Sequence, residues 1–296
     1  MATIWELDFY SRPVLDEQGR KLWEVLICEA PLDISTRPET LFRYAQFCPS
    51  TEVNSVSLRK AIEDAIAQAP QPPDKIRFFR RQMINMITKA CEDSGVPVSS
   101  SRRTLALHQW MQQRLVDYYP TLPNYQAGSG NPSVILPYPA PARLPDALIG
   151  QQWTFVSLEA SAFSDLPDWE IAFGEAFPLD LVGITPDMRI PGVIIYSPRA
   201  LPLAGWLSGL DVAFLRFETE SGGTSYRAPI PRLLLETGAS DSWILANLPT
   251  EPLQTEAHNF EAAKRQAQNV HFLAVQSDPN SEAFAGFWLL QELDLD

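Results

Sequence analysis

WELDFYSRPVLDEQGRKLWEVLICE, residues 5–29, is the stretch on which the fold turns. Residues 4–11 alternate, with Trp5, Leu7 and Phe9 on one face and Glu6, Asp8 and Tyr10 on the other. That period of two marks a half-buried strand. Asp16-Glu17-Gln18-Gly19 reads as a turn and 22–28 as the return strand of a hairpin. Closing the turn there sets Glu6 opposite Glu29, with Asp8 one pleat along on the same face. Like charges facing each other cost stability unless something compensates. Two readings follow: the three carboxylates hold Mg²⁺ as in a two-metal nuclease, or they are ion-paired or solvated framing for a binding scaffold.

Working outward, 43–48 reads as a third strand, although Pro38-Glu39 could open a short helix instead. Asn54 or Ser55 caps a helix to about Gln68, closed by Pro-Gln-Pro-Pro. KIRFF (75–79) reads as a strand, 81–93 as a helix ending at Ser94-Gly95, and 96–99 as a strand. A helix capped by Ser101 then runs to about Tyr118. The order βββαβαβα is that of ribonuclease H-like folds, and a fold does not settle a function. A nuclease on it needs acids from the first helix, where Glu52 or Glu63 stands, and from the end of the fourth strand. That strand ends in Phe79-Arg80-Arg81, with arginine where the acid belongs. An Asp…Glu-x-Lys arrangement fails as well, since Glu24 is followed by Val25-Leu26. No catalytic residue, metal ligand or cofactor is assigned.

The 296 residues, 45% hydrophobic, are read as a two-domain α+β protein. The expected division is 1–119, a proline-rich linker at 120–148, and an acidic, strand-rich α+β domain at 149–296. The linker carries seven prolines and a Gly-Ser-Gly, which exclude a continuous helix or central strand. Strands beyond it are WTFVSLE, VIIYS, VAFLRFE, RLLLETG, SWILANLP, VHFLAVQS and FAGFWLLQEL, with helices near 200–209 and 256–269. The net charge of −13 is uneven: 16 basic and 16 acidic residues over 1–150, then 7 and 20 over 151–296. Between Lys75 and Arg114 stand 8 basic residues against Glu92 and Asp93. Screening limits distant charge to about 8–10 Å, so such a region can still attract phosphate. Cys28, Cys48 and Cys91 lack metal or disulfide spacing, which fits a reducing compartment. With no apolar run long enough to span a bilayer and strand-like sequence from Ile4, the expectation is a cytoplasmic protein without integral membrane association.

The chemistry-bearing candidates are few. In IRFFRRQM (76–83), strand alternation puts Arg77, Phe79 and Arg81 on one side and Phe78 and Arg80 on the other. Interleaved arginine and aromatic side chains suit single-stranded RNA, whose bases stack on rings and guanidinium planes while phosphates take the charge. Arg102 and Arg103 add donors near a helix N-terminus, itself an anion site. The RNA-binding candidates are therefore Arg77, Phe79, Arg80, Arg81, Arg102 and Arg103. The other reading makes the phenylalanines core and pairs the arginines with Asp16, Glu17 or Asp74. His108, His258 and His271 have no metal spacing, and no Gly-x-Ser-x-Gly or Walker-type loop occurs. Cys28 reads as a small buried side chain. GFWLLQEL (286–293) is either a terminal core strand or, through Trp288, Leu289 and Leu290, a docking surface for a protein partner.

Taken together, WELDFYSRP (5–13), GRKLWEVLICE (19–29), FFRRQM (78–83), SSSRRT (99–104) and the near-terminal WLL (288–290) resemble the Tab-two-like RNA-binding proteins of cyanobacteria and plastids. The resemblance spans essentially the whole chain. It implies a translation factor that binds single-stranded, A/U-rich 5′ leaders of photosystem mRNAs and meets translation or assembly partners. It also implies a cyanobacterial member, and it ties the family's Trp-Leu-Leu to Trp288, Leu289 and Leu290. A metal-dependent nuclease on Glu6, Asp8 and Glu29, or a photosystem assembly scaffold that binds no RNA, are the alternatives.

Overall fold

In a computed structural model of the chain, which describes residues 2–128, 138–150, 152–219 and 230–295, the opening hairpin is the centre of a mixed sheet. Strand β1 (Ile4–Leu15) pairs antiparallel with β2 (Lys21–Glu29), and β2 pairs antiparallel with β3 (Arg43–Cys48). Helix α1 (Ser55–Gln68) leads to β4 (Lys75–Phe78), parallel to β1. Helix α2 (Ile84–Asp93) leads to β5 (Val98–Ser100), parallel to β4, and α3 (Leu105–Gln113) follows. The sheet order β3-β2-β1-β4-β5 is the ribonuclease H-like arrangement expected from the element order. Asn54 caps α1 by accepting from the Val56 and Ser57 amides. The short helix at Pro38–Thr40 and strand β3 both form, so the two readings of 38–48 were not exclusive.

Two compact units divide the chain: Met1–Pro31 with Arg37–Pro137 and Asp294–Asp296, and Leu32–Thr36 with Tyr138–Leu293. In the first, Trp5, Leu7 and Phe9 of β1 and Val25 and Ile27 of β2 pack against Leu58 and Ile62 of α1 and Ile87 of α2. Each such side chain contributes about 1.5–3 kcal/mol on full burial. On the other face Leu26, Cys28 and Phe79 meet Leu107 and Trp110 of α3. Part of the proline-rich stretch belongs to this unit, since Leu15 and Gln126 amides bond to the Asn124 and Pro13 carbonyls. Residues 129–137 of that stretch lie outside the described residues.

The hairpin register differs from expectation. Trp5 pairs with Glu29 and Glu6 with Cys28, so Glu29 is on the face opposite Glu6 and Asp8. The loop takes in Asp16–Arg20, with Leu15 paired to Lys21, and this one extra residue relative to the expected 16–19 turn reverses the parity. The irregularity between Ser11 and Leu15 then moves the register by two and leaves the faces unchanged. A one-residue slip flips a side chain to the other face.

The second unit has two sheets. One runs β7 (Gln152–Glu159), β9 (Arg189–Tyr196), β13 (Val270–Gln276), β14 (Phe284–Gln291) and β8 (Ile171–Glu175). The other runs β10 (Val212–Glu218), β11 (Arg232–Thr237), β12 (Asp241–Asn247) and β6 (Ala142–Arg143). Val193, Leu273, Trp288 and Leu290 from the first sheet meet Leu215, Leu233 and Leu235 from the second, with Leu203 and Leu207 of α4 (Ala200–Gly209) and Phe260 of α5 (Glu251–Gln266). Edge strand β8 escaped the sequence reading because most of its side chains are exposed, leaving no alternation. Its Gly174 permits close pairing: a Cβ there would stand 2.4 Å from the Phe287 carbonyl oxygen. Among the described residues no helix is long and apolar enough to cross a membrane.

Candidate nucleic-acid interface

The face of the first sheet beneath α3 carries charge where a core would ordinarily be apolar. Glu6, Asp8 and Tyr10 of β1 share it with Glu24, Leu26 and Cys28 of β2, by the pairs Glu6–Cys28, Asp8–Leu26 and Tyr10–Glu24. Glu6, Asp8 and Glu24 are 2%, 0% and 0% exposed. Buried carboxylates persist only when paired and hydrogen-bonded. Here Arg12 Nη2 donates to Asp8 Oδ2 at 2.8 Å and Arg80 Nε donates to Asp8 Oδ1 at 2.6 Å. Arg12 Nε also donates to Glu24 Oε2 at 3.1 Å. Arg114 Nη2 and Tyr119 Oη complete the Glu24 carboxylate. The result is a continuous buried chain, Arg80–Asp8–Arg12–Glu24–Arg114. Burial alone would raise the Asp8 carboxyl, but Arg80 and Arg12 outweigh it and hold it below the usual carboxylate value.

This arrangement does not bring the three hairpin carboxylates together on one face. Both oxygens of Asp8 are taken by guanidinium groups, and Glu29, turned to the other face, accepts from the Phe42 amide at 3.4 Å. The third carboxylate, Glu6, accepts from the Leu107 amide at 2.7 Å. Arg80, at the position where a nuclease would carry its acid, makes an ion pair with the acid of β1. Among the described residues no group of three or more His, Cys, Asp or Glu is arranged to hold a metal ion.

Glu6 also corrects the expected anion site at the start of the last helix. Helix α3 begins at Leu105, after Thr104, and its third residue gives its amide to the Glu6 carboxylate. An anion from the protein already fills that terminus. Ser101, expected as the cap, instead accepts from the Arg103 amide at 2.9 Å within the preceding turn.

The six RNA-binding candidates fall into two sets. Arg77 is 5% exposed in mid-sheet between Glu6 and Ser99, Arg102 is 9% exposed, and Phe79 is 7% exposed in the core under α3. The chain leaves the strand after Phe78, so Arg80 does not continue the alternation. Its guanidinium lies 3.8 Å over the Tyr10 ring and 4.8 Å over Phe79, on the Asp8 face. Arg80, Arg81 and Arg103 are half-buried, and of these Arg80 is committed to Asp8. Because β4 and β5 are parallel, Arg80-Arg81 and Arg102-Arg103 both follow carboxyl ends of adjacent strands, tied by the Ser101 amide to the Phe78 carbonyl at 2.8 Å. That edge is where open α/β sheets present ligand sites. Sequence reasoning missed Arg12, Glu24, Arg114 and Tyr119. The available signal was the run of charged side chains at even positions of β1 and β2, matching the buried parity.

In the second unit Trp288, Leu289 and Leu290 lie within β14, 4%, 0% and 0% exposed, inside the fold. His271 is fully buried: its Nε2 accepts from the Leu215 amide at 2.8 Å and Nδ1 meets the Asn269 carbonyl at 3.0 Å. Burial, then the Lys264 charge, hold its pKa well below the ordinary histidine value. Lys264, 1% exposed, donates to the Leu215 carbonyl at 2.9 Å and reaches Glu292 at 2.7 Å and Glu261 at 2.9 Å. These groups knit β10, α5 and the end of β14 together. The free cysteines Cys28, Cys48 and Cys91 are buried.

Known protein sequences match nearly the whole chain. A family described as "RNA-binding protein Tab2/Atab2 N terminal" matches residues 4–114, and "RNA-binding protein Tab2/Atab2, C-terminal domain" matches residues 131–291. "Protein TAB2 homolog, chloroplastic" of Arabidopsis thaliana is 38% identical over 98% of this chain and 74% of its own length. The protein of the same description from Zea mays is 38% identical over 98% of this chain and 71% of its own.

Proposed function

Because the chain belongs to the Tab2/Atab2 family of RNA-binding proteins, we propose that it binds single-stranded, A/U-rich 5′ leaders of mRNA and promotes synthesis or assembly of photosystem proteins. The observation that carries the reading is the convergence of Arg80-Arg81 and Arg102-Arg103 at the carboxyl ends of β4 and β5, in a chain of net charge −13. Arg81 and Arg103 contact phosphates. Arg77, Phe79 and Arg102, being buried, hold that edge in shape, and Arg80, held by Asp8, lends it charge. The chloroplastic relatives support a photosynthetic setting, and the site of action proposed for this chain is the cytoplasm. Binding is read as non-catalytic, because Asp8 is spent on Arg12 and Arg80 while Glu6 and Glu29 accept from backbone amides on opposite faces.

Titration of end-labelled oligoribonucleotides of equal length tests this. Single-stranded A/U-rich RNA should bind more tightly than G/C-rich RNA or duplex, and remain intact with Mg²⁺ or Mn²⁺. Equal affinity for all three would remove the A/U-rich assignment. Metal-dependent cleavage lost in Asp8→Asn would replace binding with nuclease chemistry.

A further inference from the structure

At the far end of the buried charge chain from Arg80, a second set of arginines and rings comes together. Arg114 follows α3 and opens a π-helical turn, Arg114–Tyr118. Such turns are rare and recur at functional sites. Its guanidinium, anchored inward by Glu24, lies 4.0 Å over the Tyr118 ring and 5.4 Å from the Trp110 ring. Arg43, at the start of edge strand β3, lies 5.4 Å over the same Trp110 ring. These distances fall inside the range of cation–π attraction, about 6 Å. The order Arg43–Trp110–Arg114–Tyr118 is therefore a ladder of alternating guanidinium planes and rings.

Its two ends are exposed and its middle is largely buried. Trp110 is 8% exposed, whereas Tyr118 is 38% exposed and Arg43 is exposed to solvent. Among the described residues Arg43 has no carboxylate partner, in contrast to Arg12, Arg80 and Arg114. The neighbours Leu115 and Val116 are 40% and 72% exposed, so the turn presents apolar surface as well. A ladder largely buried in its middle, at Trp110 and Arg114, and exposed at its two ends, Arg43 and Tyr118, holds Tyr118 in place for a further planar group. The cation at the other end, Arg43, suits a phosphate of the same strand.

We propose that Tyr118, backed by Arg114, is a stacking platform for a nucleobase of single-stranded RNA, and that Arg43 takes a phosphate of the same strand. The assignment rests on the RNA-binding reading above and places a second contact on the first unit, distinct from Arg81 and Arg103. RNA is favoured over a protein partner because guanidinium planes fixed against rings match the flat faces and charge of a nucleotide, and sequence-tolerant stacking asks for nothing more.

Fluorescein-labelled oligouridylate, titrated by anisotropy against the full chain, tests the site. Tyr118→Ala should weaken binding about 5- to 150-fold, the loss of one stacked base, with an unchanged salt slope. Tyr118→Trp should restore it, which a merely structural role for the tyrosine would not require. Arg43→Gln should weaken binding and lower the slope of log K against log salt by about 0.7. Photocrosslinking with 4-thiouridine RNA should place the adduct on Tyr118, within the tryptic peptide that begins after Arg114. Thermal melts identical to the parent show that each variant is folded. If the parent binds and Tyr118→Ala and Arg43→Gln bind within twofold of it, the ladder is overturned and the RNA-binding reading stands. A ladder that docks a protein would give that same result. If the parent binds no oligouridylate and no A/U-rich RNA, both fail together.

Discussion

Replacing Asp8 by asparagine reverses the sign expected of a nuclease-like carboxylate cluster. Acids gathered for an absent metal repel one another, so removing one charge relieves strain. Asp8 has the opposite surroundings: it is fully buried and accepts from Arg12 at 2.8 Å and from Arg80 at 2.6 Å. Each hydrogen bond to a charged group is worth about 1.5–3 kcal/mol, and asparagine can keep one of the two in weaker form. Its amide nitrogen would face guanidinium donors. Removing one partner from a buried ion pair costs about 3–5 kcal/mol, most of it the stranded opposite charge. Asp8→Asn at neutral pH is therefore expected to destabilise the first unit by about 3–5 kcal/mol. Hydrogen exchange read by mass spectrometry on peptides from β1 isolates this unit, where a single melting temperature for two units would not. Protection of β1 amides should fall by about two to four orders of magnitude. Combining Asp8→Asn with Arg80→Gln should cost less than the sum of the single changes, since the two share one interaction. Unchanged or increased protection in Asp8→Asn would refute the ion-pair reasoning and return the carboxylates to the metal reading.

Acid should weaken each unit through a different group. An unfolded chain protonates His271 near pH 6.5 while the native chain keeps it neutral, so stability is full above that pH and falls below it by about 1.4 kcal/mol per unit. Protection of β13 amides should drop by up to about 15-fold between pH 6.5 and 5, and His271→Gln should abolish that dependence. Asp8 contributes in a lower window: its stabilisation is full above its unfolded value, near 3.8, and is lost as the pH falls through the depressed native value. Trp288→Ala should destabilise the second unit by about 3–5 kcal/mol, as expected for a large buried ring. The folded fraction should bind RNA with parental affinity; a selective loss of binding in folded protein would assign Trp288 a contact role.

The strand order was legible because each element carries its own signal. Residues 5–9 alternate cleanly against the core, Asn54 announces α1, and the apolar run at 200–209 forms α4. The hairpin register was not legible, because nothing in Asp16-Glu17-Gln18-Gly19-Arg20 marks whether Arg20 belongs to the turn or to the return strand. That one residue of turn length decided which carboxylates share a face. Helix 101–118 proved to be a turn, an α-helix from Leu105 and a π-helical turn. Its true cap, Glu6, lies 101 residues away in sequence and leaves no local mark. The arginine–carboxylate chain was hidden for the same reason, since Glu24 and Arg114 meet only through the sheet and the helix above it. The Trp288–Leu290 strand was read correctly as apolar, and its burial follows from that composition.

The central claim is that the first unit holds single-stranded RNA through an arginine edge in an acidic chain. The direct measurement is the salt dependence of A/U-rich RNA binding for the parent and for Arg81→Glu with Arg103→Glu. Each phosphate neutralised contributes about 0.7 to the slope of log K against log salt for single strands. The double variant should therefore bind more weakly, with a slope shallower by about 1.4. A parental slope and affinity in the folded double variant would contradict the claim.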